Sequence, residues 1–120
     1  MQLEDVKIYN IAIKLEKELF NITKNIPKGW SIDQVKQIQR SSSSISANIS
    51  EGFCRRFYKR DYIRFLYIAM GSSDETQHHL SILFNKKYID KNIYETYAKN
   101  YKNLSVKILN LVNYLRKNPQ

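Results

Sequence analysis

Residues 39–56 read QRSSSSISANISEGFCRR, and two architectures compete for them. Four consecutive serines suggest a flexible linker joining two domains. The apolar residues argue the opposite. Val35, Ile38, Ser42, Ile45, Ile49 and Gly52 follow at intervals of 3, 4, 3, 4 and 3, so a stripe of helical period crosses the serine run without a skip. A linker has no reason to keep that phase. Serine is a mediocre helix former, because its hydroxyl competes for backbone groups. What it offers is small volume. Ser42, Ser46, Ala47 and Gly52 would let neighbouring backbones approach closely, so the stretch reads as the centre of a packed helix.

The same period organises the rest of the chain. In the segment of about residues 5–26, Ile8, Ala12, Leu15, Leu19, Ile22 and Ile26 mark one apolar face, and Pro27 and Gly29 end it. Ser31 opens the second helix, about 32–56, with Gln34 at the spacing of a capping box. A third helix, about 59–84, carries Tyr62, Phe65, Ala69, Ser72, Thr76, Leu80 and Leu83. Asp90 is a candidate N-cap for the fourth, about 91–117, where Tyr94, Tyr97, Tyr101, Leu104, Ile108, Leu111 and Leu115 repeat cleanly. No strand pattern competes. The expectation is an all-α fold: one domain over residues 1–120, an antiparallel up-down-up-down four-helix bundle.

A hairpin turning near Tyr58 sets Arg40 opposite Glu75, Ser44 opposite Ser72 and Glu51 opposite Arg64. Small residues then meet small residues, with Ala69, Gly71, Ser72 and Ser73 on the third helix. The polar residues Arg40, Asn48, Glu51 and Glu75 are expected to be structural, with pairs Arg40–Glu75 and Glu51–Arg64 flanking the small-residue contact. As a desolvated pair, Arg40–Glu75 would make Glu75→Ala cost about 3 kcal/mol or more.

Composition narrows the function. The 120 residues hold 20 Lys and Arg against 11 Asp and Glu, a formal charge of +9, which favours polyanionic partners. Abundant Lys, Asn, Ile and Tyr are also what an AT-rich genome yields with no functional demand. Cys54 is the only cysteine, which rules out an internal disulfide and a cysteine metal cluster; it reads as a small residue in a packed turn. His78 and His79 are helix neighbours pointing about 100° apart, poorly placed to share one metal ion. The three glycines are isolated, so no phosphate-cradling loop is present. No catalytic residue, metal or cofactor is expected. Neither a bilayer-spanning run nor a secretory start is visible, so the cytoplasm is the expected location.

The densest positive segment is CRRFYKRDYIR, residues 54–64. Arg55, Arg56, Lys59, Arg60 and Arg64 alternate there with Phe57, Tyr58 and Tyr62, at the junction of helices two and three. Arginine grips phosphate with a planar fork, and exposed aromatic rings stack on unpaired bases. Arg116 and Lys117 would join this pole of an up-down bundle. The residues expected to contact nucleic acid are Arg55, Arg56, Lys59, Arg60 and Arg64 on phosphates and Tyr58 on a base; the alternative is a solvated turn with Phe57 and Tyr62 in the core.

Arg40, then SSSSISANISEGF, then RR and YIRFLYIAMGSSDE, resembles the 23S rRNA-intervening-sequence proteins, also called four-helix bundle proteins. The family pattern, R, then S-I-P-x-N-I-x-E-G, an Arg-containing turn and F-x-x-F-L-x-x-A-x-G-S-x-x-E, falls on Arg40, Ser44, Ile45, Asn48, Ile49, Glu51, Gly52, Phe65, Leu66, Ala69, Gly71, Ser72 and Glu75. Ser46 stands where the family usually has Pro, and Cys54 where Gly or Ser is common. The turn at Phe57 lacks the usual Ser or Thr cap. The resemblance implies a cytoplasmic bacterial bundle without established enzymatic activity, some of whose relatives are encoded within insertions in large-subunit ribosomal RNA genes. Distantly similar bundles, the accessory proteins of diversity-generating retroelements, form basic pentameric rings that work with a reverse transcriptase. A homo-oligomer, with a pentamer favoured, is therefore implied, and Trp30, Phe53 and the tyrosines would supply subunit contacts. The partner expected is RNA. The alternative is a scaffold docking a polymerase or ribosomal protein.

Overall fold

The serine run is helix. A computed structural model describes residues 1–29 and 31–118, in which α1 (Lys7–Thr23), α2 (Ile32–Cys54), α3 (Lys59–Asn85) and α4 (Lys91–Lys117) follow a 3-10 turn at Leu3–Asp5. No strand occurs among the described residues.

Paired residues give the topology. Ser41 meets Thr76, Ser44 meets Ser72 and Gly52 meets Phe65, so numbers rise along α2 as they fall along α3. Gln39 with Thr23 and Ser46 with Glu16 set α1 antiparallel to α2. Phe84 with Tyr94, Ser73 with Ser105 and Tyr67 with Arg116 do the same for α3 and α4. The bundle measures 50 × 20 × 20 Å. Its long axis fits helices of about 40 Å with turns beyond their ends.

Ile38, Ile45 and Ile49 of α2, Leu66, Ala69, Leu80 and Leu83 of α3, and Tyr101, Leu104, Ile108 and Val112 of α4 are fully buried. Ile8, Ala12, Leu15 and Leu19 close the core from α1. The serines are satisfied within it. Ser41, Ser42, Ser43 and Ser46 each donate to the carbonyl three residues back. These back-bonds let a hydroxyl sit in a helix without orphaning itself.

The small residues serve two neighbours. Ser41 Oγ lies 2.8 Å from Thr76 Oγ1 and Ser44 Oγ 2.9 Å from Ser72 Oγ, both toward α3. Ser46 Oγ instead donates to Glu16 Oε1 on α1 at 2.8 Å. Ala47 and Gly71, expected at close contacts, are exposed, and a Cβ on Gly71 would meet nothing within 4 Å. Gly52 is the glycine that the packing needs.

Helix ends depart from expectation where side chains intervene. α1 stops at Thr23 rather than reaching Ile26: Pro27 disfavours helical backbone in the residue before it, and the chain turns through Gly29 at φ 120°. At its start, the Asp5 carboxylate accepts the Gln2 N–H at 2.9 Å and fixes the 3-10 turn, so the helix begins at Lys7. Ser31 forms no capping box. It sits in helical backbone and donates its hydroxyl to Pro27 O, and Gln34 Oε1 is buried without a partner among the described residues. Asp90 does cap α4, accepting from Ile93 N at 2.8 Å.

Tyr101 carries a pH-dependent test of this core. Its ring is buried and its hydroxyl has no hydrogen-bond partner among the described residues. Burial, reinforced by the negative charges of Glu16 and Glu18, pushes its phenol well above the ordinary tyrosine range. A folded pKa above the unfolded value, near 10, gives stability that is fully present below pH 10 and lost as pH rises toward the folded pKa. Between pH 8 and 11, urea titrations of wild type and Tyr101→Phe should diverge by about 1.4 kcal/mol, the wild type losing more. Parallel losses would place the hydroxyl in water.

Candidate nucleic-acid interface

The α2–α3 junction is tight. α2 ends at Cys54, and the N–H groups of Arg55, Arg56 and Tyr58 bond to Gly52 O, Phe53 O and Arg55 O at 3.0, 3.1 and 2.8 Å. Tyr58, in extended backbone, precedes α3 without a side-chain cap. Cys54 is exposed rather than packed, because the helix ends on it and turns its side chain outward.

This end gathers Arg55, Arg56, Lys59, Arg60, Arg64, Arg116 and Lys117, seven cations against the carboxylates of Glu51 and Asp61. The start of α1 reaches the same end and adds Glu4, Asp5 and Lys7. The Lys59 ammonium donates to the Asn118 carbonyl and ties the junction to the end of α4. Arg116 joins the cluster with its guanidinium 5.2 Å from the Tyr67 ring.

Aromatic rings hold several of these cations. Arg56 lies 4.1 Å from the Phe53 ring and 4.7 Å from that of Phe57, and donates from Nη1 to Phe53 O at 3.0 Å. Arg64 and Arg55 stand 4.5 and 5.4 Å from Phe65. Guanidinium on an aromatic face keeps its charge and its edge donors available. Arg60 is exposed and enters no ion pair or cation–π contact among the described residues.

Tyr62 is in the core and Tyr58 is 74% exposed. Phe57, which residue order places four after buried Phe53, is 83% exposed because α2 has already ended. Tyr114 adds a ring at this end, 61% exposed. Sequence reasoning set Phe57 among the basic residues but gave the base contact to Tyr58, with Phe57 in the core as the alternative, and it missed Tyr114, which lies far along the chain.

The expected flanking ion pairs are absent among the described residues. Glu51 Oε2 lies 3.6 Å from Arg55, one turn along its own helix, while Arg64 stacks on Phe65. Glu75 faces buried His79 at 3.4 Å, and Arg40 is exposed. Arg40 and Glu75 share a height on the bundle, but each is one residue from the pair that meets there, Ser41 and Thr76, which rotates it about 100° outward. With the Glu75 side chain 59% exposed, Glu75→Ala should cost less than about 1 kcal/mol in a denaturant titration, not the loss of a desolvated pair. Asn48 is structural in a different way, donating to Ser44 O and Ser44 Oγ at 2.8 and 3.0 Å and so orienting the Ser44–Ser72 contact.

Among the described residues no group of three or more His, Cys, Asp or Glu side chains is placed to hold a metal ion, and no helix is long and apolar enough to cross a membrane. Trp30, assigned above to subunit contacts, lies outside the described residues.

The 23S rRNA-intervening sequence protein family matches residues 4–110. The chain belongs to that family. In this family member the matched span takes in the whole α2–α3 junction and stops before Arg116. It shares its fold with the crystal structure of a protein of unknown function from the S23 ribosomal protein family of Bacteroides thetaiotaomicron, at TM-score 0.79 and 24% identity over 88% of this chain and 97% of that one. No curated protein matches it.

Proposed function

We propose that this protein is a non-catalytic, cytoplasmic RNA-binding bundle that grips phosphates with the basic end formed by Arg55, Arg56, Lys59, Arg60, Arg64 and Arg116. The observation that carries this reading is the convergence of seven cations from two separate segments on one end, with only Glu51 and Asp61 in the same segments to offset them. Such a field attracts a polyanion and makes affinity fall with salt. Membership of a family named for ribosomal RNA insertions agrees with it.

The protein is also proposed to self-assemble, with the five-membered ring drawn from the family resemblance as the leading arrangement. Repeating the basic end around an axis would multiply weak phosphate contacts. Exposed Ile68, Val106 and Leu109 favour a protein contact on the outer α3–α4 face, whether a second copy or a different partner. The test is polarization of a labelled RNA oligonucleotide across a salt series. The logarithm of affinity should fall linearly with that of salt, by about 0.7 per phosphate contacted on a single strand. Salt-independent affinity, or none at low salt, would reject the basic end as the site.

A further inference from the structure

Beside the Phe57 ring lies a cleft of about 300 Å³ lined by Arg56, Phe57, Lys59, Tyr114, Leu115 and Asn118. We infer that it takes a single unpaired RNA base, inserted between Phe57 and Tyr114 while the flanking phosphates lie on Arg56, Lys59 and Arg60. This rests on the RNA-binding reading and narrows it to single strands.

The cleft brings together features that a solvated turn has no use for. Two of its rings are largely bare, Phe57 at 83% and Tyr114 at 61%. A third element, the Arg56 guanidinium, already stacks between Phe53 and Phe57, so a base on the open side of Phe57 would lengthen an existing stack. The volume is at the low end for ligand cavities, suited to one flat ring system and not to a helix or strand of a partner. The rim is polar. Asn118 spends its Nδ2 on Tyr114 O, which leaves its Oδ1 to accept from a base edge. Lysine and arginine surround the mouth where phosphates would pass. A duplex keeps its bases stacked and paired, so it can offer this cleft only its backbone.

Three probes separate the possibilities: a labelled single-stranded RNA, that strand annealed to its complement, and the same strand with abasic positions. Each is titrated against wild type, Phe57→Ala, Tyr114→Ala and Arg60→Glu/Arg64→Glu. Both rings are exposed, so their removal should leave helicity intact by circular dichroism. The expected result is single strand at least about 10-fold tighter than duplex or abasic strand at equal salt, with each ring deletion weakening the single strand about 5- to 100-fold and leaving duplex affinity and salt slope alone. Phe57→Tyr should restore most of the loss. Equal affinity for all three probes with silent ring deletions would overturn the base cleft, while a large effect of the arginine reversals in that same experiment would leave the basic end standing. No binding of any probe by wild type would overturn both.

Discussion

Gly52→Val is expected to destabilise the protein by about 3 kcal/mol or more, read as a shift in the urea midpoint, whereas Gly71→Val should change it by no more than about 0.5 kcal/mol. A Cβ on Gly52 would lie 3.0 Å from Phe65 Cβ, 3.1 Å from Tyr62 Cδ1 and 3.4 Å from Tyr62 O. Two of those atoms are on or next to the α3 backbone, so they cannot swing aside as a side-chain tip would. Valine also adds two methyl groups to that contact, so the helices must separate and loosen the Ser44–Ser72 pair about two turns away. The gain in helix propensity over glycine is a few tenths of a kilocalorie and does not compensate. At Gly71, open space receives the same side chain. Equal effects at the two glycines would mean that α2 and α3 do not approach as closely as described.

Charge reversal at Arg60 and Arg64 should weaken RNA binding about a hundredfold at moderate salt and flatten the salt dependence by one contact or more per arginine. These two are better probes than Arg55 and Arg56. The Arg56 guanidinium bonds to Phe53 O and packs on two rings, and Arg55 pairs with Glu51, so reversing either disturbs the turn itself. Arg60 has no such duties, and Arg64 rests only on the face of Phe65. Far-ultraviolet dichroism should therefore be unchanged in Arg60→Glu/Arg64→Glu. Unchanged affinity in a folded double variant would remove the basic end from the binding reaction.

The fold was legible because the apolar phase survives the serine run, and because chain order fixes which heights of an antiparallel hairpin face each other. That arithmetic brought Ser44 to Ser72, where a hydrogen bond is found. Height does not fix rotation, which is why Arg40 and Glu75, level with each other, never meet. It also explains Gly71, which shares a segment with Ser72 and Ser73 but points to solvent while Ser72 bonds to α2 and Ser73 donates to Tyr101 O on α4. The cluster of basic residues at the junction was visible as a run of letters. The cleft was not, since its walls are Phe57 and Tyr114, joined only by folding, and since the end of α2 at Cys54 decides that Phe57 leaves the core. The end of α1 was read three residues too far, and at Ser31 the start of α2 was read correctly but its cap was not, because the hydroxyl turns back to Pro27 O.

A rival site exists at the opposite end, where Lys24, Lys28, Lys36, Lys86, Lys87 and Lys91 face only Asp33, Asp90 and Glu95. Amide chemical-shift mapping with a single-stranded RNA oligonucleotide distinguishes the two ends in one titration. The largest shifts should fall on Arg55–Arg64 and on Tyr114–Asn118, the two segments whose residues line the cleft. Shifts concentrated at residues 24–36 and 86–91 would contradict the assignment of the α2–α3 junction as the nucleic-acid surface.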